Sequence, residues 1–215
     1  MLKDLARIFT KTYQLKNMLM TAELSPTFPT EGLTTRLAGW RLPGQYSQDW
    51  ILEQLNVLPY QHLLEVGYGS GKMLQTVSKK LKVGFIAGID CSISMYQRAT
   101  QRNRRAIESQ LLQLHIGSIY QLPYPSQYFH TIYGTNMHLT SKDPAMEFLR
   151  LYNLLRTGGR LVTILQPQWS LQEKTVRHTM ERMQEHYSEA GLTDIRIRYK
   201  DADMLTGVAI TGHKA

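Results

Sequence analysis

From residue 62 to the end of the chain, short apolar runs alternate with segments of helical periodicity. The apolar runs predict strands at 62–66, 83–89, 111–116, 129–133 and 160–165, and two runs in which apolar residues alternate predict strands at 195–199 and 208–210. Strands that alternate with helices form a mostly parallel sheet with helices on both faces. The last two runs have no helical pattern between them and predict an antiparallel hairpin. We therefore expect a doubly wound α/β fold with a mostly parallel, seven-stranded sheet.

The helical segments between these runs carry local start signals. A single helix is predicted from Ser92 to Ile107. Asp143 followed by Pro144 is typical of a helix start, and that helix is expected to stop at Gly158-Gly159. Ser170 and Glu173 predict a capping box for the last helix. Its buried stripe is predicted to consist of Val176, Met180, Met183, Tyr187 and Ala190.

The N-terminal region differs in character from the rest of the chain. Residues 1–20 predict a helix, residues 22–46 a proline- and glycine-rich loop, and residues 47–55 a short helix. We expect residues 1–58 to form a helical and loop extension, and residues 59–215 the main domain. The loop carries Trp40 and Tyr46, which either fold over a binding site as a lid and contact substrate or pack on the sheet.

Composition favours an intracellular protein. The chain of 215 residues is 42% hydrophobic, and its apolar runs are shorter than the roughly 20 residues that a membrane helix requires. Its single cysteine cannot form an internal disulfide, which is typical of a reducing compartment. The first 20 residues contain five charges and do not resemble a secretory signal. A cytoplasmic location is expected.

The formal charge of +8 is concentrated in the middle of the chain. Residues 61–165 hold 12 Lys and Arg against 5 Asp and Glu. Two clusters contribute most of the cations: Lys79, Lys80 and Lys82, then Arg98, Arg102, Arg104 and Arg105. Such an excess invites a nucleic-acid interpretation, but two solvated helix ends, with cations near helix C-termini, are the preferred explanation. The clusters contain no aromatic residue for base stacking, which favours the second explanation.

A glycine-rich turn follows the first predicted strand, with the sequence Glu65-Val66-Gly67-Tyr68-Gly69-Ser70-Gly71-Lys72. The dinucleotide pattern G-x-G-x-x-G requires glycine where Lys72 stands. The phosphate-binding pattern G-x-x-x-x-G-K-[ST] requires one more residue between its glycines, and Ser or Thr where Met73 stands. Ligands bind such sheets beyond the carboxyl ends of the strands, so this turn is expected to bind a different ligand there.

Four segments of the chain resemble the class I S-adenosylmethionine-dependent methyltransferases, and especially their small-molecule, type 11-like branch. These segments are residues 63–71, residues 88–95 with Asp90, residues 117–125 and the Gly-Gly turn in residues 154–162. The resemblance covers residues 60–215 and implies a Rossmann-like methyltransferase fold. It also implies that S-adenosyl-L-methionine is the cofactor and S-adenosyl-L-homocysteine the product.

The resemblance implies a role for each residue of the expected cofactor site. Glu65 would attract the ammonium group, and Asp90 would accept both ribose hydroxyls. Cys91 and Met95 would flank the adenine, and Thr135 would lie near the methyl group. The full expected set is Glu65, Gly67, Tyr68, Gly69, Gly71, Asp90, Cys91, Met95, Ser118, Ile119 and Thr135.

Two positions depart from the pattern of the family. Ser118 stands where the family usually has an aspartate that accepts a hydrogen bond from the adenine amino group. A serine still accepts this bond, without the charge. His130 stands where the family has a mostly structural aspartate, and we expect a structural turn residue there.

The methyl acceptor is expected beyond the fourth strand. His138 is the candidate general base, although a loop histidine bonded to backbone is an equally good interpretation. Asn136 is a second catalytic candidate, and Tyr133 a candidate for orienting the substrate. Residues 134–137 lack the Asn/Asp-Pro-Pro-aromatic pattern of exocyclic-amine methyltransferases. No cluster of His, Asp and Cys has spacing suited to a metal, so none is expected.

Three functional hypotheses follow. The first is methyl transfer to a small-molecule acceptor by in-line displacement. The second is methyl transfer to RNA through the basic clusters. The third is a non-catalytic member of the fold that binds only the cofactor or a partner.

Overall fold

The computed structural model describes residues 48–135, 137, 143–165, 173–202 and 207–215. Its strands are β1 (His62–Val66), β2 (Phe85–Asp90), β3 (Leu112–Ile116), β4 (Phe129–Thr135), β5 (Leu155–Leu165), β6 (Thr193–Tyr199) and β7 (Val208–His213). Its α-helices are α1 (Gln48–Leu55), α2 (Lys72–Ser78), α3 (Ile93–Arg102), α4 (Arg104–Glu108), α5 (Pro144–Leu154) and α6 (Glu173–Glu189). Short 3-10 turns lie at Ile119–Gln121 and Lys200–Ala202.

The sheet has the order β3-β2-β1-β4-β5-β7-β6. The first five strands of this order are parallel, and β7 runs antiparallel to both β5 and β6. The predicted doubly wound, seven-stranded sheet with a C-terminal antiparallel hairpin is therefore confirmed. The strand order reverses between β1 and β4, and this switch point is where such sheets bind ligands.

Two apolar layers cover the faces of the sheet. One layer is formed mainly by α5 and α6, and the predicted stripe of α6 is buried within it, from Val176 to Ala190. Tyr187 of this stripe also exchanges a hydrogen bond with Thr163 at 2.9 Å and donates to the carbonyl of Ile210. The second layer holds Ile51 and Leu55 of α1 together with α2 and part of α3. The short helix at the start of the described chain thus packs on the sheet.

The segment predicted as one helix from Ser92 to Ile107 is interrupted at Asn103. Ser92 caps α3 by accepting a hydrogen bond from the backbone of Met95. The buried amide of Asn103 donates to the carbonyls of Gly71 and Ala99, at 3.0 and 2.9 Å. Because asparagine side chains compete with the backbone for such bonds, the break falls at this residue.

The fifth strand begins earlier than predicted. Helix α5 ends at Leu154, four residues before the Gly-Gly turn, since Leu155 pairs with Phe129 of β4 and is buried. The predicted stop of the helix at Gly158-Gly159 is therefore wrong, and both glycines lie within β5. Asp143 caps α5 as expected, accepting from the backbone of Met146.

Several expectations fall on residues outside the described part of the chain. These are the helix at 1–20, the loop at 22–46 with Trp40 and Tyr46, the residues Asn136 and His138, and the capping residue Ser170. The division at residue 58 stays a prediction. No helix of the described residues has the length and hydropathy needed to cross a bilayer.

Candidate active site

The glycine-rich turn joins β1 to α2 at the switch point of the sheet. Gly67, Gly69 and Gly71 all have positive φ, at 74°, 51° and 72°. An added Cβ at Gly67 or Gly69 would meet no atom within 4 Å, whereas at Gly71 it would lie 2.5 Å from Asn103 Nδ2 and 2.9 Å from Ala99 Cβ. The first two glycines therefore present open backbone to a ligand, and the third allows α3 to approach closely.

Asp90 connects the glycine-rich turn to the turn that follows β2. Its Oδ2 accepts a hydrogen bond from the backbone of Gly69 at 2.8 Å, and its Oδ1 accepts one from Ser92 at 2.9 Å. Each carboxylate oxygen has room for a second donor, so two ligand hydroxyls can still bind. The structure thus brings the predicted ribose acceptor against the predicted glycine turn.

Glu65 lies on β1 directly beside Tyr133 of β4. Their side chains are 5% and 1% exposed, and the phenol of Tyr133 donates to Glu65 Oε2 at 3.0 Å. Burial raises the pKa of Glu65 from its ordinary 4.5 to about 8, with Asp90 adding to the rise and the Tyr133 hydrogen bond opposing it. Burial and Glu65 also raise the pKa of Tyr133. Tyr133, the residue expected to orient a substrate, is therefore fully buried beside Glu65.

The raised pKa of Glu65 predicts a pH dependence of stability. A carboxyl whose pKa is higher in the folded state stabilises the fold in its neutral form. That contribution is complete below its ordinary value of 4.5 and is lost as pH rises through about 8. We therefore expect the unliganded protein to lose stability relative to Glu65→Gln between about pH 5 and pH 9. Thermal unfolding of both proteins over this range measures the difference, and parallel curves would contradict the expectation.

The Tyr68 side chain leaves the turn and enters the core. Its ring is 4% exposed, and its hydroxyl donates to the carbonyl of His115 on β3 at 3.1 Å. A Cβ on Gly88 of β2 would lie 2.8 Å from this ring, so a side chain there would displace it. Tyr68 can thus reach a ligand only through its backbone, and the mid-strand glycine at 88 was the sequence signal for its packing.

The remaining cofactor candidates follow β2, β3 and β4. Cys91 and Ser118 are exposed, Met95 and Thr135 are half-buried, and Ile119 is part of the core. The hydroxyl of Ser118 accepts a hydrogen bond from the backbone N–H of Tyr120. The backbone N–H of Ser118 donates to Gln121 Oε1 at 3.0 Å. Ser118 therefore caps a 3-10 turn and keeps its hydroxyl proton for a ligand.

His130 lies at the opposite end of β4 from the site. Its Nδ1 accepts from the backbone of His62 at 3.0 Å, and its Nε2 lies 2.8 Å from Arg156 Nη1. Burial lowers the pKa of His130, as do the charges of Arg156 and His62. These contacts support the expected structural role, but at the second residue of a strand and not in a turn.

Two residues that the sequence did not suggest also hold the glycine turn. Arg102 Nε donates to the carbonyl of Ser70 at 2.9 Å, and Asn103 binds the carbonyl of Gly71. The asparagine inside a predicted helix was the available signal for this contact. In the described residues there is no group of three or more His, Cys, Asp or Glu placed to hold a metal ion.

The basic clusters lie partly along one groove. It is lined by Lys79 at the end of α2 and by Arg102, Arg104 and Arg105 where α3 gives way to α4. Arg104 forms an exposed ion pair with Glu108 at 3.0 Å. Because Arg102 also binds Ser70, this groove adjoins the glycine turn.

Comparisons with known proteins agree with this geometry. A family model described as a methyltransferase domain matches residues 63–159. The uncharacterized methyltransferase YdaC of Bacillus subtilis (strain 168) is 27% identical over 172 residues, covering 79% of this chain and 92% of YdaC.

Solved structures share the fold. A protein of Methanococcus maripaludis, described as an S-adenosyl-L-methionine-dependent methyltransferase, superposes with a TM-score of 0.62 at 19% identity, covering 78% of this chain and 83% of its own. Phosphoethanolamine N-methyltransferase 2 of Haemonchus contortus, solved with S-adenosyl-L-methionine, superposes with a TM-score of 0.62 at 14% identity, covering 78% of this chain and 52% of its own. Residues 63–159 therefore match a methyltransferase domain, and the chain is similar in sequence and fold to methyltransferases that use S-adenosyl-L-methionine.

Proposed function

We propose that this methyltransferase acts on a small-molecule acceptor bound beyond the carboxyl ends of β1 and β4. The main support for a cofactor site is the pair of hydrogen bonds by which Asp90 joins the glycine turn to the turn after β2. The Gly134-Thr135-Asn136-Met137 sequence supports a small acceptor, because it lacks the pattern of nucleic-acid and protein amine methyltransferases. The similar phosphoethanolamine N-methyltransferase also has a small acceptor in its name.

The residues around the turn fit the cofactor chemically. We assign the free acceptor positions of Asp90 to the ribose hydroxyls, since a carboxylate accepts two such bonds well. The open backbone at Gly67 and Gly69 suits the amino-acid tail and ribose, with Gly71 holding the turn against α3. Glu65 is the carboxyl assigned to the ammonium group.

Four residues are assigned to the adenine. Cys91 and Met95, on the turn and helix after Asp90, would flank the ring, with methionine as an adaptable apolar wall. The Ser118 hydroxyl is assigned to the adenine edge and Ile119 to its face. Thr135, the last residue of β4, is assigned to the neighbourhood of the methyl group.

When bound, the cofactor supplies an electrophilic methyl group, whose bond to sulfur breaks as a bond to the acceptor forms. The chain must align the acceptor and, for an O–H or C–H acceptor, remove one proton. We assign that proton to the imidazole of His138 and the orientation of the acceptor to Asn136.

The direct test uses cofactor carrying an isotopic label in its methyl group. The protein is incubated with separate small-metabolite, RNA and protein fractions, and the label is followed into each. Label in the small-metabolite fraction supports the proposal. Label confined to protein or RNA would contradict it.

His138 has a separate expected effect. If it removes the proton, His138→Ala should lower kcat by about 10²- to 10⁴-fold while leaving the affinity for S-adenosyl-L-homocysteine unchanged. His178, which lies on α6, gives the matched control variant His178→Ala. A kcat within about threefold of wild type would contradict the assignment, since even modest proton-transfer catalysis exceeds that factor.

RNA is the second candidate acceptor, and the groove of Lys79, Arg102, Arg104 and Arg105 favours it. About four phosphate contacts predict that RNA affinity falls roughly 50-fold between 50 and 200 mM salt. Affinity for a small neutral acceptor should change little over the same range. The measurement is a titration with labelled RNA at several salt concentrations.

A matched pair of variants makes the salt titration specific to the groove. Arg105→Gln should reduce the salt dependence, because it removes one groove cation. Arg196→Gln should not, since Arg196 lies on β6 in an ion pair with Asp194. Equal effects of the two changes would contradict RNA binding in the groove.

A further inference from the structure

The pairing of Glu65 with Tyr133 has a consequence for ligand binding. A buried carboxylate is normally compensated by a cation or by several donors. Among the described residues, Glu65 has one hydrogen-bond partner, the neutral phenol of Tyr133, and takes part in no ion pair. The free protein therefore holds a buried acid with little to stabilise its charge.

The groups around Glu65 reinforce this imbalance. From β2 the carboxylate of Asp90 faces it and adds negative charge. From β4 the phenol of Tyr133 donates one hydrogen bond. The phenol of Tyr68, in the adjoining turn, is directed to the carbonyl of His115 and not to Glu65. Neither neighbouring strand supplies a cation to this carboxyl.

We propose that Tyr133 is a positioning residue for Glu65, and that the ammonium group of the cofactor replaces a proton on this carboxyl when it binds. The inference rests on the proposed assignment of Glu65 to that ammonium. In the free protein Glu65 carries the proton while Tyr133 donates to its Oε2. On binding, the proton leaves to solvent, the carboxylate pairs with the ammonium, and Tyr133 keeps the carboxylate oriented. Charge balances, since the ammonium takes over the positive charge that the departing proton carries away, and the site stays neutral overall.

The register of the sheet explains why these two residues can act together. Glu65 and Tyr133 are directly paired on adjacent parallel strands, so their side chains leave the same face of the sheet. Both are enclosed by the layer that contains Leu63 and Leu74. The phenol cannot rotate into solvent, and its hydrogen bond favours the charged form of Glu65 over the neutral one.

The first test counts protons by calorimetry. Wild-type protein is titrated with S-adenosyl-L-homocysteine at pH 7 in two buffers that differ in ionisation enthalpy. We expect close to one proton released per ligand, declining as pH rises through about 8, the pKa of the Glu65 carboxyl. The Glu65→Gln variant should release none. Wild-type binding without proton release would overturn the inference while leaving the proposed function intact.

The second test separates positioning from mere structural support. Removing the phenol in Tyr133→Phe raises the cost of ionising Glu65, so affinity at pH 7 should fall by about tenfold. The loss should shrink towards pH 10, where Glu65 is ionised in both proteins. A loss that is equal at every pH would overturn the role of Tyr133.

Tyr187→Phe is the matched control for this experiment. It removes a buried phenol that bonds to Thr163 and to the Ile210 carbonyl, in the apolar layer on the other face of the sheet from Tyr133. It should leave the pH profile of ligand affinity unchanged. If Tyr133→Phe does not fold, the proton count of the wild-type protein still decides the inference. Absence of any ligand binding by wild type would overturn both the inference and the proposed function.

Discussion

Replacing Asp90 by alanine is expected to weaken binding of S-adenosyl-L-homocysteine by at least about 100-fold, because two hydrogen bonds to a charged acceptor are each worth roughly 1.5–3 kcal/mol. The change also frees the backbone N–H groups of Gly69 and Ser92, which Asp90 holds at 2.8 and 2.9 Å. The loss therefore combines missing ligand contacts with a looser turn. Isothermal titration of the purified variant measures it.

Asp194→Ala is the matched control for Asp90→Ala. Asp194 is an exposed carboxylate on β6 that pairs with Arg196, well outside the candidate site. Its removal should leave the ligand affinity within experimental error of wild type. Thermal unfolding without ligand shows whether either variant has lost its fold. A folded Asp90→Ala protein that binds within about threefold of wild type would contradict the assigned role, since one lost charged hydrogen bond already exceeds that factor.

Gly71→Ala is expected to produce the largest loss of stability among the glycine variants of the turn. The left-handed φ of 72° costs an alanine about 1–2 kcal/mol. The added Cβ would also lie 2.5 Å from Asn103 Nδ2 and 2.9 Å from Ala99 Cβ, and such overpacking costs a further 1–3 kcal/mol or so. Asn103 cannot move aside without breaking its bonds to Gly71 and Ala99.

Gly67→Ala isolates the backbone contribution. Gly67 has nearly the same φ, but its added Cβ would meet nothing within 4 Å. We therefore expect a loss of only about 1–2 kcal/mol in the free energy of unfolding. Urea unfolding of both variants measures the difference. Equal losses would contradict the close packing of α3 on Gly71.

The sheet was predictable because periodicity and turn residues agree along residues 62–165. Within this range the five parallel strands appear as short apolar runs, and beyond it β6 and β7 appear as alternating apolar residues, so the seven predicted strands correspond to the seven strands of the structure. The start of β5 was not predictable, because Leu155 continues the helical spacing of α5. Its pairing with Phe129, a contact distant in sequence, overrides that local preference.

The candidate site was predictable where a residue type alone specifies the chemistry. The glycines of the turn and Asp90 lie together as expected, since the carboxyl ends of β1 and β2 meet at one edge. The partnership of Glu65 with Tyr133 was not predictable, because it depends on the register between β1 and β4. The burial of the Tyr68 ring depends similarly on the space above Gly88.

The most direct test of the central claim is calorimetric titration of the wild-type protein with S-adenosyl-L-homocysteine. We predict saturable binding of one ligand per chain, with the affinity greatly reduced by Asp90→Ala and unaffected by Asp194→Ala. A folded wild-type protein that gives no binding heat at several temperatures would contradict the assignment of a cofactor site to the glycine turn and Asp90.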